Sequence, residues 1–200
     1  MRKLIILLFL IPIGLKAQDN PLTIFKSLEN YIWIAEGKWG DGSTFKQEIN
    51  LEFSLNNKIV KVESMGFTNK EQTEFGLRNH GIRQYDEKLK KIRFWEFDIF
   101  GNLTEGTVEG EGKNLIYKYD YGGTFVTEMW VYKNEKTYDF IVGVYENGEW
   151  KQKFLETEFT GTIKNETIEQ TMKYLSVASS SSLSYTIEKS RITIFKTNVP

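Results

Sequence analysis

Hydrophobic and polar residues alternate along most of this chain. In the segment 44–55, TFKQEINLEFSL, Phe45 begins a series in which every second residue is apolar or uncharged, and the residues between them are polar. Successive side chains of a strand point to opposite faces, so this alternation predicts a strand with one buried face. Similar segments recur from 31 to 159, joined by turn-forming stretches such as LNNK, FGNL, YGGT, KNEK and ENGE. The pattern predicts about ten strands joined by tight turns.

A short helix is predicted ahead of the strands, in the stretch 19–30, DNPLTIFKSLEN. Asp19 or Asn20 can cap its first turn, and Pro21 suits a first helical position. Its apolar residues recur at three-residue steps on one face: Leu22, Phe25 and Leu28. A stripe this narrow predicts a lid that lies across another layer.

Consecutive antiparallel strands must bury one face and protect their edges, and closure into a barrel achieves both. We therefore predict an all-β fold: an up-and-down antiparallel barrel of about ten strands with a short N-terminal helix. An open sandwich is the alternative, although it more often has longer Greek-key connections. A barrel of this size either holds a small ligand or is filled by its own side chains, and we favour the cavity.

The segment 91–100, KIRFWEFDIF, has no clean apolar face. Strict alternation places Trp95 on one face and Glu96 on the other, and both faces mix charged and aromatic residues, so either could line the interior. In the preceding segment, the same rule places Arg78 and His80 on one face and Arg83 on the opposite face.

The two ends of the chain differ from the barrel segment 19–160. Residues 1–18 are predicted to be a signal peptide, because Arg2 and Lys3 precede the apolar run LIILLFLIPIGL and small Ala17 lies near the expected cut. We expect export to the periplasm or the extracellular space, with an uncleaved anchor as the alternative. Residues 161–200 include four consecutive serines and form an appendage whose order the composition does not decide.

Composition excludes several function classes. The chain has 26 basic and 27 acidic residues and a formal net charge of −1, so no broad field attracts nucleic acid or anionic lipid. It has one histidine and no cysteine, so we expect no metal site and no disulfide. The stretch GTVEGEG lacks the lysine and following helix of a phosphate-binding loop, and we expect no cofactor. We also expect no membrane insertion after signal cleavage.

Five residues are candidates for orienting a ligand in the barrel: Arg78, His80, Arg83, Trp95 and Glu128. His80 is a candidate acid–base or ligand-contacting group, but a single histidine at a strand end is more often a surface residue. Several carboxylates, among them Glu96 and Glu105, could support acid–base chemistry. The shared strand face of Glu105, Glu109 and Glu111 instead favours a solvated wall. Aromatic residues such as Tyr117, Tyr119 and Trp130 could stack on a ligand or pack the core: the second use is the commoner one.

Four segments resemble a family of secreted bacterial proteins of unknown function within the lipocalin-like, calycin-type barrels: AEGKWGDGSTFKQEI, RNHGIRQYD, KIRFWEFDIFGNLTEG and YDFIVGVYENGEWKQKF. The GKW at 37–39 is similar to the Gly-x-Trp of the lipocalin first strand, whose Trp closes the barrel floor under a short N-terminal helix. The resemblance spans roughly 28–159. It implies a ten-stranded barrel with a small apolar ligand and no established reaction. Haem-binding barrels of the nitrobindin type are distantly similar, but they require a late-strand histidine that this chain lacks.

We therefore expect an exported barrel that binds a small hydrophobic or amphipathic ligand. One alternative is an enzyme that uses the same cavity for acid–base chemistry on a lipid-like substrate, which two ionisable groups in contact inside a pocket would favour. Another is an envelope interaction module with a packed barrel, which an exposed apolar patch without a cavity would favour.

Overall fold

The computed structural model describes residues 20–164, 175–176, 183–188 and 191–196. The predicted signal peptide and the four-serine run lie outside the described residues. Within the C-terminal appendage, two strands pair as an antiparallel hairpin. The barrel reaches Ile163, slightly past the predicted boundary at 160, because the end of its last strand pairs with the start of its first.

Ten antiparallel strands form a closed barrel in which each strand pairs with its neighbours in sequence and β1 pairs with β10. This confirms the predicted all-β, up-and-down architecture and rejects the open sandwich. The strands are β1 Tyr31–Lys38, β2 Thr44–Ser54, β3 Ile59–Phe67, β4 Phe75–Asp86, β5 Lys91–Asp98, β6 Leu103–Glu111, β7 Asn114–Tyr121, β8 Thr124–Asn134, β9 Thr137–Glu146 and β10 Glu149–Ile163; the hairpin strands are β11 Leu183–Glu188 and β12 Arg191–Lys196.

A short 3₁₀ helix, Pro21–Leu28, closes one end of the barrel. The Asn20 side chain accepts a hydrogen bond from the Leu22 amide at 3.0 Å, as expected of an N-cap. The three apolar residues of the predicted stripe are all buried. The Trp33 indole donates to the Leu28 carbonyl at 3.0 Å, and Ser27 Oγ lies 3.0 Å from Tyr138 Oη. These contacts attach the helix to the barrel interior.

The tryptophan beneath the helix is Trp33, which corrects the role that the resemblance implied for Trp39. Strand β1 starts at the closed end, and residue 39 lies six positions after Trp33. At about 3.3 Å per residue, the two side chains are separated by roughly 20 Å along the strand. Trp39 consequently lies at the opposite, open end, where its ring meets Phe45 edge-on at 5.6 Å.

The half of the barrel nearest the helix is filled with aromatic side chains. Trp130 stacks on Phe159 with ring centroids 4.3 Å apart and planes 6° apart. Trp33 meets Tyr138 edge-on at 5.2 Å and Trp130 at 6.2 Å. Offset and edge-to-face contacts are the favoured geometries of aromatic pairs, so this half is a packed core.

Candidate ligand-binding site

The other half of the barrel contains a cavity of about 250 Å³ that opens at the end opposite the helix. Eight of its nineteen lining residues are aromatic: Trp39, Phe45, Phe67, Phe94, Tyr117, Tyr119, Tyr121 and Phe140. This volume lies just below the roughly 300–1,000 Å³ of typical small-molecule sites. It corresponds to about eight waters of about 30 Å³ each, which suits one ring with a short substituent.

A buried ion pair forms part of the cavity floor. The Arg83 guanidinium donates to the Glu96 carboxylate, and Arg83 Nε donates to Tyr117 Oη at 3.4 Å. The guanidinium also lies near the rings of Phe94 and Tyr117, 5.4 and 5.3 Å from their centroids. Burial lowers the pKa of Arg83, but Tyr117 and Glu96 outweigh it and the net change is upward. Arg83 is therefore a fixed cation inside the barrel.

Gly81 makes this arrangement sterically feasible. In the β4–β5 register Gly81 lies opposite Glu96, and Arg83 lies opposite Phe94, so Arg83 must reach diagonally across position 81. A Cβ at that position would clash with Arg83 Nη1. Glycine at 81 leaves the space through which the guanidinium reaches its carboxylate.

Glu128, on β8, is the second carboxylate of the floor. It lines both the open-end cavity and a smaller cavity of about 40 Å³ beneath it. Trp130 Nε1 donates to Glu128 Oε1 at 3.2 Å. Burial, and then the negative charge of Glu96, raise the pKa of Glu128 to about 7, against the opposing effects of Trp130 and Arg83. Burial also raises the pKa of the neighbouring Tyr119 well above its ordinary value.

Replacing Glu128 with Gln is expected to remove a pH-dependent loss of stability. Between pH 4.5 and 7 the folded state keeps a proton that the unfolded state has released, so the free energy of unfolding falls as pH rises. The full effect is about 3 kcal/mol, at about 1.4 kcal/mol per pH unit. Chemical unfolding should therefore show that the free energy of unfolding of the wild type falls, relative to that of Glu128→Gln, as the pH rises from about 4.5 to about 8.

The exposed Glu111 on β6 provides the control for this titration. Its replacement by Gln should leave the pH profile of the wild type unchanged. A constant difference between the wild type and Glu128→Gln across the pH range would contradict a proton held on Glu128.

Two of the five predicted site residues, Arg78 and Glu128, line the open-end cavity, and a third, Arg83, lines the smaller cavity beneath it. Arg78 shares the interior with Arg83 because of a β-bulge. Ser64 pairs with Asn79 but Met65 pairs with Leu77, which leaves Arg78 as an extra residue. Such a bulge interrupts alternation, so Arg78 and Asn79 both line the cavity. The expectation that Arg78 faces the same way as His80 was therefore wrong.

The other two predicted residues, His80 and Trp95, lie on the outer face of the barrel. The His80 side chain is 60% exposed, with Nδ1 3.7 Å from Glu63 Oε1. The Trp95 ring lies beneath the Arg93 guanidinium at 4.7 Å. Their neighbours Gly81 and Phe94 point inward and are buried, so alternation turns His80 and Trp95 outward. Neither residue lines the interior cavity.

The floor and wall are completed by four residues outside the predicted set of five: Glu96, Tyr117, Tyr119 and Asn79. Asn79 Nδ2 donates to Glu96 Oε2 at 3.4 Å, and Tyr117 lies directly opposite Glu128 in the β7–β8 register. The signal for Glu96 was its place on the same strand face as Phe94. Only the cross-strand register shows that these residues meet.

The loop between β3 and β4 narrows the cavity mouth. Gln72 accepts a hydrogen bond from the Thr44 amide at 3.0 Å and donates to the Thr44 carbonyl at 2.7 Å. Its side chain also lines the cavity. This two-point attachment holds the loop against the start of β2.

The open end also exposes large apolar side chains on strands β4 to β8 and their turns: Phe75, Leu77, Phe97, Ile99, Phe100, Leu103, Tyr121 and Phe125. They follow the rim on the side away from β1. Apolar groups concentrated at one end of a barrel are typical of an interaction surface or an entrance for an amphipathic ligand.

A scan against models of known protein families and a search of curated proteins find no match to this chain. The closed ten-stranded barrel is compatible with a calycin-like fold. Within the described ranges, no helix has the length and apolar composition needed to cross a bilayer. Over those same ranges, no three His, Asp or Glu side chains are grouped so that they could hold a metal ion.

Proposed function

We propose that this protein is an exported, calycin-like barrel that binds a small amphipathic molecule in its open-end cavity. The observation that carries the proposal is a cavity with aromatic walls and a charged, hydrogen-bonding floor. Sites for small molecules commonly combine apolar walls with a few converging polar groups that orient the ligand. The apolar rim would give such a molecule a partly dehydrated path to the mouth.

The cavity volume favours a single ring over an acyl chain. The aromatic core beneath the floor fills the rest of the barrel, with Trp33 and Phe159 fully buried. A long lipid chain could not pass the Arg83–Glu96 pair without leaving both charges unpaired, which is costly inside a protein. The proposed ligand is therefore smaller than a fatty acid.

Substituting Thr104 with Phe is expected to fill the cavity and abolish binding. Thr104 lines the cavity on β6. Native mass spectrometry of protein purified from its own host should show a co-purifying small molecule on the wild type. The Thr104→Phe variant should lack it, with a loss of affinity of at least about tenfold.

The matched control is Thr107→Phe, because Thr107 lies on the same strand but faces outward opposite Arg93. It should keep the bound molecule. If neither the wild type nor this control carries a molecule, and no small probe binds in vitro, the binding function is wrong and the packed interaction module is favoured.

Acid–base catalysis in the same cavity is the second candidate function, because the pKa of Glu128 is raised to about 7 beside the ion-paired Glu96. A group that titrates near the operating pH can both take up and release a proton. Incubation of the co-purified molecule with wild type and Glu128→Gln distinguishes the candidates. Conversion by the wild type alone would establish catalysis, whereas unchanged recovery from both supports binding.

A further inference from the structure

The floor of the cavity has one more carboxylate than it has available cations. Arg83 is already bound to Glu96 and Tyr117. Among the residues that the structure describes, Glu128 takes part in no ion pair, and its one hydrogen bond comes from the neutral Trp130 indole. Among the described residues, Glu128 is thus a carboxylate without an ion-pair partner, and the charge of Arg83 only partly offsets the effect of burial on its pKa.

The other groups that face Glu128 do not supply a cation. Tyr117 and Tyr119 of β7 face it, Val142 lies opposite it on β9, and Gln47 of β2 lines the same space. On β5 the nearest charge is Glu96, which is negative. On β2, Lys46 also lines the cavity, but its ammonium group pairs with Glu36 at 2.8 Å.

The second arginine of the cavity, Arg78, is engaged at the rim. Its guanidinium donates to the Phe67 carbonyl and lies 5.1 Å from the Phe100 ring centroid. Arg83 Nη1 has no partner, but it is buried against Gly81 and is closed to the cavity. Neither arginine therefore offers a free anion site.

Aromatic rings surround the space above Glu128. Phe94 and Tyr119 meet edge-to-face at 5.8 Å on one side, and Phe45 and Phe140 stack at 5.9 Å on another. The faces and hydroxyls of such rings attract cations, and the same rings can stack on an aromatic ligand. The wall therefore suits a ring that carries a positive charge.

We propose that the cavity selects a small aromatic amine, whose ring packs against these walls and whose ammonium group is held by Glu128, with Glu96 nearby. This assignment of the ligand class rests on the proposed function. An ammonium group has three N–H donors and a charge opposite to that of the floor. An isosteric alcohol would donate a single hydrogen bond and would bring no positive charge, and a carboxylate would be repelled.

Amine binding must then be coupled to the ionisation of Glu128. Below pH 7 Glu128 is increasingly protonated and cannot pair with the ammonium group. Affinity for the amine should therefore fall by about tenfold per pH unit below about 7. At neutral pH, binding should release a proton, which calorimetry detects as a dependence of the heat on the ionisation enthalpy of the buffer.

The test uses isothermal titration calorimetry of the full chain with three probes of similar size: 2-phenylethylamine, 2-phenylethanol and phenylacetate. At about pH 8 the wild type should bind the amine at least about tenfold more tightly than the alcohol, with phenylacetate weakest. Glu128→Gln should lose the preference for the amine while it retains binding of the alcohol. Glu105→Gln, which removes a carboxylate from the outer face, should behave as the wild type.

The outcomes separate this inference from the function on which it rests. If the alcohol or phenylacetate binds as tightly as the amine, the cavity binds ligands but the amine assignment is wrong. If none of the probes binds at millimolar concentration, the small-ligand function falls as well. Should Glu128→Gln fail to fold, the pH profile of the wild type decides the matter, because an affinity for the amine that is constant from about pH 5 to 8 overturns the proposal.

Discussion

Replacing Arg83 with Met is expected to lower the free energy of unfolding by about 3–5 kcal/mol, because the Glu96 carboxylate is left inside the barrel without its partner. The Arg83 side chain is only 5% exposed and Glu96 only 24%, so water cannot replace the lost interaction fully. Denaturant unfolding of the wild type and the variant under the same conditions measures this loss.

Two controls test the reason for this loss. The double variant Arg83→Met, Glu96→Leu should recover most of the stability, because a buried ion pair can often be replaced by apolar residues at little cost. Arg93→Met removes the corresponding pair on the outer face, in which Arg93 Nη2 lies 2.8 Å from Glu105 Oε2. It should cost less than about 1 kcal/mol. A double variant as unstable as the single one would show that an unpaired charge is not the cause.

Much of the architecture could be predicted because local signals agree with each other. The alternation in β2 coincides with its buried positions, and the following turn uses Asn56 and Asn57 at φ of 53° and 62°. Asparagine tolerates this left-handed conformation better than most residues, so the turn was recognisable. The apolar stripe of the helix matched its three buried residues. Strand number and closure follow when every connection is short.

The inner and outer faces of the site strands could not be assigned from alternation alone. In β5, charged and aromatic residues occur on both faces, and only pairing with β4 shows that Glu96 points inward. The bulge at Arg78 has no sequence signature that distinguishes it from a regular strand, because neither Arg78 nor Asn79 is a glycine. Alternation along the sequence therefore does not predict which side chains line the cavity wall.

The site also depends on contacts between residues that are far apart in the sequence, which no local pattern predicts. The hydrogen bond from Arg83 to Tyr117 joins residues 34 positions apart, and the ion pair to Glu96 joins residues 13 apart. Both contacts require the space that glycine leaves at position 81. The glycine is visible in the sequence, but only the strand register shows that Arg83 passes over it. Polar side chains that point into the barrel are the positions at which a functional requirement overrides the local sequence pattern.

Replacing Trp33 with Ala is expected to destabilise the protein by about 3–5 kcal/mol, through the cavity left beneath the helix. Trp33 has no exposed surface and packs edge-on against Tyr138 and Trp130. The variant also loses the hydrogen bond to the Leu28 carbonyl, so the helix should show faster amide exchange than the barrel. Trp95→Ala, on the outer face, is the matched control and should cost about 1 kcal/mol or less. Equal losses in the two variants would mean that the helix does not seal a packed core, and the floor of the binding site would then have no rigid support.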